Sequence, residues 1–273
     1  MTDDLTIFRD GLCKDDVALV TGGGTGIGLA VASELGKLGA KVAICGRKQE
    51  RLDEGVATLA RVGVTDVLAH VCDIRQPESV ASLVDAVLAR FSRLDVLVNN
   101  AGGQFPTTAE SLSPKGFEAV VRNNLLGTWN VTHAVATRAM IPQQGGRIVN
   151  VIAEVSRGFP GMVHTGAARA GVDNLTKTLA IEWAQHGLRI NAVAPGVIKT
   201  SGTDQYPPEL MELSRKRIPL RRLGTASETA HLIVYLATRA ADFITGQTFT
   251  IDGGASLWGD TWQIPDRGHS PGS

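Results

Sequence analysis

A glycine-rich turn near the start of the chain is the first place where residue types and spacing point to chemistry. It runs from Thr21 to Gly28, directly after an apolar run and before a helix-like pattern. Glycines let the backbone turn tightly and approach a pyrophosphate, whose charge is favoured by the free amides of a helix N-terminus. Many strand-to-helix turns use glycine only for its positive φ, so the turn alone is a weak signal. The residues expected to bind phosphate here are Gly22, Thr25, Gly26, Ile27 and Gly28.

Small and polar residues also follow other apolar runs of the chain. Asp73 and Ile74 end the third run, and Asn100, Ala101 and Gly102 follow the fourth. Ligands of open parallel sheets bind outside the carboxyl ends of the strands, so these residues are expected at one nucleotide site. The sixth run contributes Pro195, Gly196, Ile198 and Thr200 to the same set.

The end of the second apolar run predicts which nucleotide binds. It has no acidic residue where one would bind both hydroxyls of the adenosine ribose of NAD, and it carries Arg47 and Lys48 instead. Guanidinium and phosphate groups pair strongly and with specific geometry, so these cations favour a 2′-phosphate. We expect NADPH rather than NADH, although Arg47 at a strand end could also be a solvated charge.

Short apolar runs alternate with amphipathic stretches, and this pattern predicts the elements that position these residues. It is typical of βαβ units with a parallel sheet, and near-continuous apolar runs fit strands covered on both faces. We expect a doubly wound (Rossmann) α/β fold with a parallel seven-stranded sheet and helices on both faces. The expected strands are Val17–Thr21, Lys41–Cys45, Asp66–Val71, Leu94–Val98, Gly146–Ile152, Leu188–Ala194 and Gln247–Ile251.

The chain length favours a single domain. Its 273 residues suit one large α/β domain, and no internal linker interrupts them. Residues 1–16 are expected to form an N-terminal arm, 17–257 the dinucleotide-binding oxidoreductase domain, and 258–273 a tail without periodicity.

Composition excludes several classes of function. The 27 acidic and 27 basic residues cancel, which argues against a nucleic-acid partner bound through a basic face. The apolar runs are too short to span a bilayer, and the start of the chain lacks the features of a secretory signal. The six scattered histidines show no i,i+4 pair, so no metal site is expected. We expect a cytoplasmic protein.

Taken together, the glycine turn and the strand-end residues resemble the short-chain dehydrogenase/reductase family from about Val17 to Gly254. This resemblance implies that Asp73 hydrogen-bonds the adenine and that Asn100 with its neighbours lines the adenine ribose. It also implies that Ile198 and Thr200 meet the nicotinamide carboxamide. Asn124 matches the family asparagine that shapes the active-site helix and holds a proton-relay water.

The catalytic Tyr-x-x-x-Lys of that family is absent. Thr165 and Arg169 stand where the tyrosine and lysine are expected, and Ala153 or a neighbour takes the place of the catalytic serine. A threonine hydroxyl donates hydrogen bonds but does not readily ionise near neutral pH, so ordinary ketone or alcohol chemistry is disfavoured. Arg169 is expected to hold the nicotinamide ribose, as the lysine does.

A different reduction would ask less of the missing tyrosine. Hydride addition to the β-carbon of an α,β-unsaturated thioester leaves an enolate whose oxygen needs a hydrogen-bond donor, and we expect Thr165 to be that donor. We also consider Glu154 as a carboxylic acid with a raised pKa that protonates the α-carbon, although a surface glutamate is the more common explanation.

A closer resemblance supports this reaction. The segments Gly102–Pro106, His164–Val172 and Phe243–Gln247 are similar to the peroxisomal trans-2-enoyl-CoA reductases and to related 2,4-dienoyl-CoA reductases. That similarity implies NADPH-dependent reduction of a double bond in an acyl thioester. Asp173 departs from the reductase pattern. With Lys177 it fits an exposed helical ion pair, so we leave both outside the catalytic set.

Other outcomes remain open at this point. A scaffold subunit that binds nucleotide without catalysis would lose the same residues, and reduction of a 3-ketoacyl carbonyl with other acids is a further possibility. The family resemblance implies a homotetramer, which would cover the edge of the last strand. The final residues are not Ser-Lys-Leu, so we expect the peroxisomal address of the resembled enzymes to be absent.

Overall fold

In the computed structural model, which describes residues 7–203 and 206–257, the predicted strands form one parallel sheet. The strands of this sheet are β1 Val17–Thr21, β2 Lys41–Gly46, β3 Val67–Val71, β4 Val96–Asn99, β5 Gly146–Val151, β6 Leu188–Pro195 and β9 Thr248–Ile251. Their order in the sheet is β3-β2-β1-β4-β5-β6-β9, and every adjacent pair is parallel. The prediction of a seven-stranded doubly wound sheet is therefore confirmed.

Helices cover both faces of the sheet, as the apolar runs predict. One face carries Val31 and Leu35 of the first helix and Ile233 of the last, and the other carries Leu83 and Val135. The helices are α1 Gly26–Lys37, α2 Gln49–Arg61, α3 Pro77–Phe91, α4 Pro114–Val121, α5 Gly127–Val135, α6 Val163–Glu182, α7 Pro208–Arg217 and α8 Ala226–Ala237.

Two features were not predicted from the sequence. A π-helical turn at Arg122–Leu126 joins α4 to α5. A second small parallel sheet pairs β7 Ile198–Lys199 with β8 Gly224–Thr225, so the ends of the segment from 200 to 223 are held together. The predicted tail at 258–273 and the first part of the predicted arm lie outside the described residues.

A buried polar network fixes helix α6 against the sheet. Asn99 at the end of β4 donates to Asn150 Oδ1 at 2.9 Å and to Thr132 Oγ1 at 2.8 Å. Asn150 in turn donates to Thr176 Oγ1 of α6 at 2.9 Å. Buried amides need such partners, so this network sets the position of α6, the helix that carries Thr165 and Arg169.

Candidate active site

Glycine is required in the turn after β1 because the backbone closes on itself there. Gly22 and Gly26 have φ of +65° and +55°. A Cβ on Gly28 would lie only 2.4 Å from the Gly22 carbonyl oxygen. Asn100 holds the turn, because its Nδ2 donates to the Thr21 carbonyl at 3.0 Å. The turn is thus fixed with the N-terminus of α1 facing the carboxyl edge of the sheet, which suits a pyrophosphate.

A cleft of about 340 Å³ opens beside this turn, at the carboxyl ends of β1 to β4. It brings together most residues of the predicted nucleotide site. Those predicted residues are Gly22, Thr25, Gly26, Ile27, Arg47, Lys48, Ile74, Asn100, Ala101, Gly102 and Thr200. Lining residues that the sequence reasoning missed include Gly24, Cys45, Arg51, Asn123, Ser201 and Gly202.

Arg51 adds a third cation to Arg47 and Lys48 at this cleft. It lies in the first turn of α2, and the glycine turn packs directly on that helix, since a Cβ on Gly24 would lie 2.7 Å from the Arg51 carbonyl oxygen. All three side chains are exposed, and they form no ion pair within the described part of the chain. The concentration of positive charge without an acidic partner fits a phosphate group at this end of the cleft.

Several predicted cofactor residues do not line the cleft. The Asp73 carboxylate binds the guanidinium of Arg75, with Nε to Oδ1 at 2.8 Å, and this hydrogen bond lowers the pKa of Asp73. Gly196 packs against Asp252, where a Cβ would approach within 2.7 Å. Gly28 packs inside the turn, and Pro195 and Ile198 belong to β6 and β7. Contacts of Asp73 and Ile198 with a cofactor therefore remain predictions.

Asn124 lies on the π-helical turn and is buried, with 1% of its surface exposed. Its Nδ2 donates to the Gly103 carbonyl at 2.7 Å and to the Val120 carbonyl at 2.9 Å. Its Oδ1 accepts the Gly103 N–H at 3.3 Å. Asn124 thus fixes the loop after β4 from both sides, and its role at a proton-relay water stays a prediction.

Arg169 is a buried cation without an acidic partner among the described residues. It is 8% exposed, and Nη1 donates to the Val151 carbonyl at 2.9 Å. Nε is buried without a hydrogen-bond acceptor, and desolvation lowers the pKa of Arg169 to about 10. A Cβ on Gly102 would lie 2.3 Å from Nη2 and 2.6 Å from Asn124 Oδ1, so the guanidinium lies directly behind the wall of the cleft.

Thr165 lies in the first turn of α6 and has no exposed surface. Its hydroxyl is 3.2 Å from Nδ1 of His164, and this nitrogen also accepts the Thr165 backbone N–H at 2.8 Å. The Phe105 ring covers His164 edge-on, with 4.7 Å between ring centroids. This enclosed position does not favour Thr165 as the donor to a thioester carbonyl, because its hydroxyl has no exposed surface and already lies beside His164 Nδ1.

The pKa of Glu154 is lowered, whereas its predicted role as an acid requires a raised pKa. Burial alone would raise its pKa, but hydrogen bonds from Ser156 and Thr250 outweigh burial and lower the pKa below its ordinary value. Thr250 Oγ1 donates to Oε2 at 2.8 Å, and the Ser156 N–H donates to Oε1 at 2.8 Å. An ionised carboxylate held by donors does not deliver a proton, so we leave Glu154 out of the proposed mechanism.

Asp173 and Lys177 form the helical ion pair that the sequence suggested. Lys177 Nζ lies 2.5 Å from Asp173 Oδ2, and Thr248 of β9 donates to the other carboxylate oxygen.

No helix in residues 7–203 or 206–257 is long and apolar enough to cross a membrane. The same residues contain no group of three or more histidine, cysteine or acidic side chains placed to hold a metal ion.

A comparison with protein families finds one match that covers most of the chain. The model described as enoyl-(acyl carrier protein) reductase matches residues 22–256. A Danio rerio protein named peroxisomal 2,4-dienoyl-CoA reductase [(3E)-enoyl-CoA-producing] is 37% identical over 92% of this chain and 85% of its own. A Bacillus subtilis protein named probable 2,4-dienoyl-CoA reductase [(2E)-enoyl-CoA-producing] is 37% identical over 88% of this chain and 96% of its own.

Solved structures share the fold at comparable similarity. A citronellol catabolism dehydrogenase of Pseudomonas aeruginosa superposes with a TM-score of 0.83 at 44% identity, over 92% of this chain and 99% of that one. A variant of actinorhodin polyketide ketoreductase with NADPH has a TM-score of 0.85 at 33% identity, over 92% and 100% of the two chains.

The relatives correct the expectation of a cytoplasmic protein, which is wrong by this comparison. Relatives from Danio rerio, Arabidopsis thaliana and Rattus norvegicus are all named peroxisomal enzymes. The cytoplasmic expectation rested on a balanced composition without long apolar runs, which does not distinguish these compartments.

Proposed function

The chain belongs to the short-chain dehydrogenase/reductase family, and from this premise we propose that it is an NADPH-dependent reductase of α,β-unsaturated acyl thioesters such as 2-enoyl-CoA or 2,4-dienoyl-CoA. The fold implies a nicotinamide cofactor and an oxidoreductase. The names of the relatives support a CoA-linked double bond as the substrate. The same names support an acyl thioester as the partner molecule.

The observation that carries the proposal is the buried guanidinium of Arg169 beside Gly102 and Asn124. A buried charge without a partner is costly, so a ligand that accepts hydrogen bonds there is favoured. The helix offers Thr165 where a ketone reductase of this family needs a phenol to protonate an alkoxide. Hydride addition to a conjugated thioester gives an enolate rather than an alkoxide. Hydrogen bonds to the enolate oxygen stabilise its charge, so no strong acid is needed at that oxygen.

The described residues fit NADPH. Arg47, Lys48 and Arg51 would hold the 2′-phosphate, and the amides after Gly22 would hold the pyrophosphate. Arg169 would bind the nicotinamide ribose from behind Gly102. When bound, the cofactor would supply a hydride to the β-carbon of a 2-enoyl thioester, or to the δ-carbon of a 2,4-dienoyl thioester if the product is the 3-enoyl thioester named for the relatives.

Two other functions of this family deserve a direct comparison. Reduction of a 3-ketoacyl carbonyl is suggested by the ketoreductase neighbour, and alcohol oxidation by the dehydrogenase that is 44% identical. Both reactions move a proton to or from an alcohol oxygen, which the Thr165 position serves poorly. A scaffold that binds nucleotide without catalysis would bind NADPH but reduce none of these substrates.

The test is NADPH consumption with trans-2-enoyl-CoA, trans-2,trans-4-dienoyl-CoA and 3-ketoacyl-CoA of the same chain length. We expect turnover of an unsaturated thioester and not of the ketone. Reduction of the ketone alone would overturn the proposal. No turnover of any of the three, with NADPH binding confirmed by fluorescence, would favour the scaffold, and citronellol with NADP⁺ would test the alcohol reaction.

A further inference from the structure

A hydrogen bond between Gln104 and Tyr206 connects two walls of the candidate active site. Gln104 Nε2 donates to the Tyr206 hydroxyl oxygen at 3.4 Å, across 102 positions of the chain. Gln104 follows Gly102, which lines one wall of the cleft. Tyr206 follows Thr200, Ser201 and Gly202, which line the other. The hydrogen bond to the phenol therefore joins the loop after β4 to the segment after β7, beside the cleft.

The position of Gln104 is fixed by the site itself. Its neighbour Gly103 exchanges hydrogen bonds with the Asn124 side chain at 2.7 and 3.3 Å. Its other neighbour, Phe105, packs on His164. The amide that binds Tyr206 is thus two residues from the glycine that contacts Arg169.

We propose that the Tyr206 hydroxyl donates the hydrogen bond that stabilises the thioester oxygen during reduction, the role that Thr165 is too buried to perform. This inference rests on the proposed function. The phenolic oxygen accepts from Gln104, so its own O–H is free to donate. At 3.4 Å the bond to Gln104 is longer than an ordinary N–H···O hydrogen bond of about 2.7–3.2 Å, so a substrate oxygen replaces or joins it at little cost.

Reduction of a 2-enoyl thioester consumes one hydride and one proton. The hydride adds two electrons at the β-carbon, and the π electrons of the double bond move to form an enolate. The negative charge then lies on the thioester oxygen, where Tyr206 donates a hydrogen bond and keeps its proton. Water delivers one proton to the α-carbon, which restores the carbonyl and gives the saturated thioester. Tyr206 ends the reaction as it began it.

The chain offers a matched pair of variants, because it contains only two tyrosines. Tyr206→Phe removes the hydroxyl at the cleft, and Tyr235→Phe removes one on α8, whose side chain is partly exposed. We expect Tyr206→Phe to lower kcat at least tenfold with the unsaturated acyl-CoA that the wild type reduces. NADPH affinity should stay within twofold for both variants, and Tyr235→Phe should match the wild type.

A binding measurement separates this inference from the proposed function. Saturated acyl-CoA, titrated calorimetrically in the presence of NADP⁺, carries the same thioester oxygen and needs no turnover. We expect its affinity to fall threefold to tenfold in Tyr206→Phe and to be unchanged in Tyr235→Phe. Equal affinity in both variants would overturn the role of Tyr206 even if the wild type is active. Absence of acyl-CoA binding to the wild type would overturn both proposals.

Gln104 acts in this scheme as a positioning residue. Gln104→Leu should lower kcat about threefold, and the double variant Gln104→Leu/Tyr206→Phe should be no slower than Tyr206→Phe alone. Residues that act through one another are not additive. If the losses of kcat in the two single variants multiply in the double variant, Gln104 does not act through the phenol.

Discussion

At the scale of single residues, the arginine at position 169 offers more hydrogen bonds to a ligand than a lysine would. An arginine presents five N–H donors in a planar fork, whereas a lysine presents a single point charge. Only one donor of Arg169, Nη1, has a hydrogen bond that the structure records, to Val151. The remaining donors and the uncompensated charge give the ligand-free protein a local instability that a bound ligand relieves.

We therefore predict that Arg169→Met separates stability from activity. The uncharged side chain should raise the free energy of unfolding of the ligand-free protein by about 1 kcal/mol, because a buried charge without a partner is removed. Activity should fall at least a hundredfold. Calorimetric unfolding and NADPH consumption are the measurements, with exposed Arg61→Met of α2 as the control. A large loss of stability in Arg169→Met would show that the cation is structurally paired.

Sequence could place Arg169 but could not reveal its burial. The position follows from the spacing to the family motif, whereas desolvation depends on Gly102, Asn124 and Val151, which are distant along the chain. The same limit explains Thr165 and Glu154. Their types suit a donor and an acid, but His164 and Phe105 cover the first, and donors to the carboxylate lower the pKa of the second.

At the scale of elements, the strands were predictable because each is an apolar run bounded by turn residues. The structure moves the predicted bounds by one or two residues. The π-helical turn that carries Asn124 was not predictable, since one extra residue in a turn leaves the apolar pattern of the helix almost unchanged. Arg51 was missed for a related reason. In the sequence it looks like any solvated charge in the first turn of a helix, and only the structure shows that Gly24 packs against its backbone.

Helix α8 begins with a capping box whose charge predicts a pH dependence. Thr225 Oγ1 accepts the Glu228 N–H at 3.2 Å, and Glu228 Oε2 accepts the Thr225 N–H at 2.9 Å. The adjacent Arg222 guanidinium, helped by Thr225, lowers the pKa of Glu228 from 4.5 to about 2. The folded state thus binds fewer protons than the unfolded state between these values, and stability falls as the pH falls through them.

We predict that Glu228→Gln lowers the Tm at pH 7 and that its difference from the wild type shrinks towards zero between pH 4.5 and about 2. Thermal unfolding followed by circular dichroism over this range is the measurement. Glu118→Gln, in an exposed i,i+4 pair with Arg122, is the control and should change the Tm less. A constant difference at all pH values would rule out the carboxylate as its source.

At the scale of the whole molecule, the sheet ends on β9, whose outer edge pairs with no strand in residues 7–203 and 206–257. Large apolar side chains are exposed near it: Phe243 is fully exposed and Ile181 is 81% exposed. Their segments meet where Gly246 packs on Ala180. Exposed apolar surface beside an open strand edge is typical of a subunit interface.

We predict a homotetramer of four times the 28.8 kDa chain mass, as the family resemblance implied. Phe243→Asp should reduce it to smaller species, because burying an unpaired carboxylate in an interface is unfavourable. Light scattering after size exclusion is the measurement. Val62→Asp, at an isolated exposed apolar residue after α2, should leave the assembly intact. A wild-type monomer at micromolar concentration would contradict the prediction.

The short β7–β8 ladder has a consequence for how such proteins diversify. By joining Ile198–Lys199 to Gly224–Thr225, it closes the base of the segment that carries Tyr206 and α7. This pairing already brings the two ends of the segment together. Each doubling of the segment's length would then add only about 0.6 kcal/mol to the entropic cost of closing it. We therefore expect relatives to differ more in the length of this segment than in the strands that hold its ends.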